Sequence, residues 1–222
     1  RSKTAEAETV LNEAASRNPN DRRILQALAQ LRLSKQDWVG AQAAAETLKK
    51  IGDTTGASEQ IAGAVLLGQK KYEESIEALK SAYTSAPNAV QPMYSLFLAY
   101  LQAGKANDAE AFLQSVLTAN QNNADAHVLM GSLKMMQKLP KEAEASYKLA
   151  IERQPESPAG YIALSKHYLS QKQDADAEAV LKTGRGKAPT DLSLNLVFAG
   201  VLETKNDIDG AIAVYDEQLK AT

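Results

Sequence analysis

The sequence predicts an all-α protein, a solenoid of stacked antiparallel helix pairs. Three observations lead there. Small residues recur every 34 positions, at Ala7, Ala41, Ser75, Ala109, Ala143, Ala177 and Ala211. Four places further on, in the same step, stand Leu11, Ala45, Leu79, Leu113, Tyr147, Leu181 and Tyr215, while the turn column reads Pro19, Asp53, Pro87, Gln121, Pro155 and Pro189. A fixed period with no insertion marks a repeat architecture. Aromatic residues make up only 5% of the chain and alanine is abundant, which favours close-packed helices over a sheet sandwich.

The elements follow in order. Residues 1–21 supply one helix of the second type, over 1–17. Six periods then start at Arg22, Gly56, Val90, Ala124, Pro158 and Leu192, giving 13 helices in one array over 1–222. Within a period, Tyr161, Leu164, Ser165 and Tyr168 mark the first helix at spacings of three and four. Asp174 and Asp176 open the second, since acidic groups suit a helix N-terminus. Ala177, Val180 and Leu181 form its inner stripe, and Pro189 ends the unit. Ala29, Gly63, Gly131, Ser165 and Ala199 form a small-residue column on the first helices, where the second helix must come close. Phe97 interrupts that column, so the third period is expected to pack with local adjustment.

Two segments stand apart. Residues 52–68 carry Gly52, Gly56, Gly63 and Gly68 and lack the turn proline. Each glycine inside a helix costs about 0.5–1 kcal/mol relative to alanine. Local softness is the simpler expectation and a hinge the functional one. The stretch Leu181–Asp191, LKTGRGKAPTD, has the composition of a phosphate loop. The repeat register places it instead at the end of a second helix, where the dipole repels anions.

Composition narrows the function classes. Net charge is −2, from 25 basic and 27 acidic residues with mixed signs, which argues against a nucleic-acid stripe. No apolar run reaches the ~18 residues that span a bilayer. There is no cysteine, which excludes disulfides and thiol catalysis and fits a bacterial protein of either cytoplasm or periplasm. The chain begins at Arg1 without a methionine and shows no polar capping helix at either end, so it reads as a window on a longer array.

Catalytic constellations are absent from the pattern. His127 and His167 occupy different columns, and neither has a metal-ligand partner at zinc spacing; both read as packed or partly exposed histidines. Carboxylate pairs such as Glu142 with Glu144 fall at second-helix starts, and no G-x-S-x-G occurs. Trp38 shares the column of Tyr72 and reads as a packing residue. No cofactor or metal is implied.

The pattern resembles the tetratricopeptide repeat family, whose unit is a 34-residue helix–turn–helix with the motif W-x2-L-G-x2-Y…A-x3-F…P. Tyr161, Leu164, Ser165, Tyr168, Ala177, Leu181 and Pro189 match it. So do His127, Met130, Gly131, Ala143, Tyr147 and Pro155, with Lys134 in place of a tyrosine. The period from Gly56 matches least, with Glu59 in the tryptophan position.

The resemblance implies a right-handed superhelix whose first helices line a concave face. Its columns read Gln26, Gln60, Tyr94, Val128, Ile162, Leu196 and Leu33, Leu67, Leu101, Met135, Leu169, Glu203, with Gln30, Ala64, Leu98, Ser132, Lys166 and Gly200 between them. The middle of the face is apolar and its N-terminal end polar. The candidate partner-binding residues are therefore Tyr94, Leu98, Leu101, Val128, Met135, Ile162 and Leu169, which either bind or pack against neighbouring helices. Met135 and Met136 tilt the balance towards an adaptable surface. The Lys, Asn and Arg set with which some members grip a carboxylate is replaced here by Gln, Ala, Tyr, Leu and Val.

The expected function is a non-catalytic scaffold for a protein or peptide with an apolar or amphipathic segment. The alternatives are a regulatory array of a larger enzyme such as a glycosyltransferase, and an envelope scaffold in bacterial exopolysaccharide synthesis or export. Apolar end faces around Val10–Ala14 and Ile212–Leu219 also allow end-to-end self-association.

Overall fold

In the computed structural model, which describes residues 3–221, the described chain forms thirteen helices and no strand. It divides into two compact units, residues 1–109 and 110–222. The first holds α1 (Lys3–Arg17), α2 (Arg22–Ser34), α3 (Trp38–Lys50), α4 (Ala57–Gly68), α5 (Tyr72–Ser85), α6 (Val90–Gln102) and the start of α7 (Ala106–Ala119). The second holds the rest of α7, then α8 (Ala124–Met136), α9 (Pro140–Arg153), α10 (Pro158–Ser170), α11 (Asp174–Lys187), α12 (Leu192–Thr204) and α13 (Ile208–Ala221).

One turn joins the two helices of every pair. Its middle residue adopts a left-handed backbone at Gln36, Lys70, Gly104, Lys138, Lys172 and Asn206, with φ between 60° and 72°. The next amide then reaches back over the last helical turn, as Asp37 N does to Arg32 O at 2.9 Å and Leu139 N to Lys134 O at 2.9 Å. This is a Schellman closure, which satisfies carbonyls the helix leaves free. Asp37 and Asp207 then cap the following helix, accepting from Gly40 N at 2.9 Å and Gly210 N at 3.0 Å.

Three first helices, α2, α8 and α12, start with side-chain caps of their own. Asp21, Asn123 and Asp191 accept from Ile24 N, Ala126 N and Leu194 N at 3.2, 2.9 and 2.8 Å. The turn before Gly56, which has Asp53 in place of the proline, uses another device. Asp53 accepts from Thr55 N, Thr55 Oγ1 and Ser58 N. Burial pushes its pKa up, but these hydrogen bonds outweigh it and hold the carboxyl below its usual value.

A further bond repeats at the motif's first position. Tyr161 Oη donates to Pro155 O at 3.0 Å, Asn195 Nδ2 to Pro189 O at 2.8 Å, and His127 Nε2 lies 3.0 Å from Gln121 O. Three different side chains thus perform one task, tying the first helix to the carbonyl at the turn column. His127 is structural, with its Nε2–H facing a carbonyl.

Packing follows the small-residue column. A Cβ on Gly63 would overlap Leu79, and one on Gly131 would overlap the Tyr147 ring. Ser75, fully buried in the facing column, donates to the Gly63 carbonyl at 2.8 Å. Gly56, Gly63 and Gly68 are therefore contact positions, with Gly68 under the Trp38 ring and Gly56 beside Ala82, whereas Gly52 faces open space. Phe97 is buried.

Curvature within each unit follows from which helices touch. α2 meets α4 and α4 meets α6; α8 meets α10 and α10 meets α12. Among the described residues no such contact joins α3 with α5, or α9 with α11. First helices converge and second helices splay, so first helices line the inner face of each unit.

Carboxylates on second helices fasten them to the next first helix. Glu8 pairs with Lys35, and Glu178 with Lys205. Glu110 accepts from Gln137 at 3.0 Å and Lys134 at 2.8 Å, and Glu144 accepts from the Tyr168 hydroxyl at 2.9 Å. The Gln137 and Lys134 bonds hold the Glu110 carboxyl below its ordinary pKa. At the last position of this column Ile212 is exposed, as are Val10 on α1 and Leu219 on α13.

Candidate functional site

The structure places the seven candidate residues on three first helices. Tyr94, Leu98 and Leu101 lie on α6 of the first unit; Tyr94 is 43% exposed and the two leucines are half-buried. Val128 and Met135 lie on α8, Ile162 and Leu169 on α10, and all four are half-buried. Val128, Met135 and Ile162 come together in a hollow of about 370 Å³ in the second unit. Leu169 packs instead against the core around Tyr161, Phe198 and Leu202. Val128 and Met135 also touch the cluster of Ala143, Tyr147 and Leu164, so these residues pack along one side and line the hollow along the other.

Tyr147 and His167 also line the hollow. His167 is 4% exposed, with Nδ1 3.1 Å from Met135 Sδ and Nε2 2.6 Å from the Gln171 side-chain nitrogen. These partners fit a neutral ring that donates from Nδ1 to sulfur and accepts from the amide at Nε2. Burial pulls the His167 pKa below its ordinary value, with Glu144 opposing the shift. Burial also raises the Tyr147 hydroxyl, partly offset by its Ser132 hydrogen bond. Lys166, exposed, is the one Lys, Arg, Asp or Glu among the lining residues. It makes no ion pair among the described residues.

The sequence presents His167 only as a packed or partly exposed histidine; the structure buries it. The column Val65, Ala99, Leu133, His167, Val201 marks its position as core, and a titratable ring in an otherwise apolar column is the signal that locates it. The first unit has a hollow of another character, about 270 Å³, with Gln26, Gln30, Gln60 and Gln91 over Leu33 and Ile61. It corresponds to the polar N-terminal end of the columns. The glycines of the Leu181–Asp191 stretch are helical: Gly184 sits against Tyr161 and Gly186 lies in the last turn of α11.

Among the described residues no cluster of three or more His, Cys, Asp or Glu is placed to hold a metal ion, and no helix is long and apolar enough to cross a membrane.

Comparison with known proteins bears on the fold. No curated protein matches the chain in sequence. A tetratricopeptide repeat protein of Thermus thermophilus superposes with a TM-score of 0.57 at 21% identity, covering 82% of this chain and 98% of that one. A tetratricopeptide repeat protein from Parabacteroides merdae gives 0.56 at 16% identity, covering 98% and 86%. The pilF protein of Pseudomonas aeruginosa gives 0.54 at 11% identity, covering 90% of each chain. These likenesses lend no support to the expected link with exopolysaccharide synthesis or export. The tetratricopeptide repeat family profile matches residues 66–133 and 134–194, over half of the sequence, in the register that the helix pairs follow. The chain belongs to the tetratricopeptide repeat family.

Proposed function

We propose that the protein is a non-catalytic interaction scaffold, and that the hollow between α8 and α10 receives an apolar or amphipathic segment of a partner protein. The observation that carries this is the preformed hollow itself. Val128, Met135 and Ile162 supply apolar walls, and the buried polar groups beneath them, His167 and Tyr147, are held neutral. An apolar segment entering it releases water without stranding a buried charge, since Lys166, the one charged lining residue, is exposed. The wall is built on helices, so little ordering is needed on binding. Tyr94, Leu98 and Leu101 share one face of α6 in the first unit, and Leu169 packs against the core around Tyr161, Phe198 and Leu202. The near-neutral, mixed charge argues for protein partners over nucleic acid.

The test is selection of peptides from a random library on the wild-type chain, then rebinding to Val128→Glu/Ile162→Glu. Selected peptides should be rich in Leu, Ile, Phe or Met. They should lose at least tenfold in affinity on the double variant, because each carboxylate would have to be desolvated. Equal affinity for a helical double variant would refute the assignment.

A further inference from the structure

We propose a second docking site, in the first unit and away from the inner columns: the cleft between α3 and α4, taking a polypeptide segment that inserts one Leu- or Phe-sized side chain.

Two departures from the repeat create this cleft. One 34-residue column reads Leu28, Ala62, Leu96, Met130, Leu164, Phe198. Its large members are at most 9% exposed. Ala62 is the single small residue in it and is half-buried. The other column is the one whose four glutamates fasten second helices to the next first helix; Ile76, buried, and Ile212 take the place of a glutamate further along it. There Gln42 stands where Glu8, Glu110, Glu144 and Glu178 stand elsewhere. Gln42 bonds within its own helix, to Glu46 at 3.3 Å. The seam therefore lacks both its filling side chain and its clasp.

What remains is a cleft of about 490 Å³, with Ala43, Ala62, Val65 and Leu66 along it and Trp38 as a wall. The volume falls in the range of ligand pockets. Trp38 is held in place because its ring lies over Gly68, where a Cβ would overlap it. Val39, 82% exposed, stands at the rim. Five of the six repeats already show what fits beneath: a Leu, Met or Phe side chain.

The rim says more about the occupant. Glu46 on α3 and Lys71 before α5 both line the cleft, and Lys71 makes no ion pair among the described residues. A segment carrying a cationic residue towards Glu46 and an acidic one towards Lys71 matches both in sign. Such charges select orientation more than they add affinity.

Trp38 is the only tryptophan in the chain, so its fluorescence reads the cleft directly. The probe is a helical peptide of about fifteen residues with a central Phe, a Lys one turn before it and a Glu one turn after. Two control peptides carry Phe→Ala or the charges exchanged. We expect saturable change of Trp38 emission with the probe, at least about tenfold weaker binding of the Ala control, and weaker binding of the exchanged one. Ala62→Leu fills the gap; it should raise the melting temperature and weaken probe binding at least about tenfold. Val39→Asp, at an exposed position, should weaken binding without altering the melt, which keeps the test valid should Ala62→Leu fold poorly. No saturable response from the wild-type chain would overturn the proposal. A stabilised Ala62→Leu alongside that silence would show a packing gap only. Undiminished binding to both variants would place the peptide elsewhere and overturn it as well.

Discussion

Nδ1 of His167 and Sδ of Met135 lie 3.1 Å apart, a contact between the first helices of two consecutive repeats where both residues line the α8–α10 hollow. It couples the core of one repeat to the surface offered by another, and it holds a titratable ring where water has little access. The groups around the ring are Tyr147 and Glu144 on α9 and Tyr168 and Gln171 nearby, and only Glu144 favours the imidazolium.

Stability should therefore depend on pH through this residue. Its folded pKa is lowered by burial, so as pH falls through the ordinary histidine value of about 6.5 the unfolded chain takes up a proton first. Stability falls through that window and levels off below the folded pKa. Urea midpoints for the wild type and His167→Gln, compared at neutral and mildly acidic pH, check this. The variant should be less stable at neutral pH and lose less stability on acidification.

Glycines in this chain should divide by what faces them. Gly131→Ala drives a methyl into the Tyr147 ring and should destabilise by about 1–3 kcal/mol despite alanine's better helix propensity. Gly200 and Gly186 have nothing within 4 Å of a Cβ, and both are helical. Their replacement by alanine should stabilise by about 0.5–1 kcal/mol, less at Gly186 near its helix end. Thermal or urea unfolding of the three variants distinguishes the cases.

The left-handed turn position gives an opposite sign for glycine. Lys70, Lys138 and Lys172 sit at φ 61–62°, a conformation that costs a side-chain-bearing residue about 1–2 kcal/mol. Lys138→Gly and Lys172→Gly should each stabilise by about 0.5–1 kcal/mol after the loss of unfolded-chain restriction is deducted. Lys138→Val should destabilise. Gly104 and Asn206 already carry favoured residues at this position.

Removing the repeated tie to the turn should destabilise each repeat that has one, by an amount set by what else the side chain meets. Tyr161→Phe deletes the donor to the Pro155 carbonyl and little else, for a cost of about 0.5–1.5 kcal/mol. Asn195→Leu should cost more, because Asn195 is buried and also meets Gln218 at 2.5 Å and Arg185 at 2.7 Å. Chemical unfolding of both variants measures the difference.

Most of the fold was legible because a period of 34 leaves so little freedom. Once small residues align, the crossing points are fixed, and Gly63 against Leu79 or Gly131 against Tyr147 follow from the alignment. The candidate site was legible by column, since Val128, Met135 and Ile162 are apolar in positions that face inward. Sequence columns do not show which half-buried residue also faces open space, so Leu169 could not be told from Ile162. The turn residues Gln36, Lys70, Lys138 and Lys172 carry no hint of a left-handed backbone in their chemistry. Only their spacing betrays it. His167, Gln42 and Ala62 stand out when a column is read for its exceptions, which a search for motifs passes over.

The measurement that bears most directly on the binding account is the methyl NMR spectrum of the four methionines during titration with a library-selected apolar peptide. The Met135 methyl lines the hollow, whereas Met93 is 1% exposed in the first unit. The account predicts that Met135 shifts in step with binding, that Met93 does not, and that both stay still in Val128→Glu/Ile162→Glu. Binding with an unmoved Met135 would contradict it.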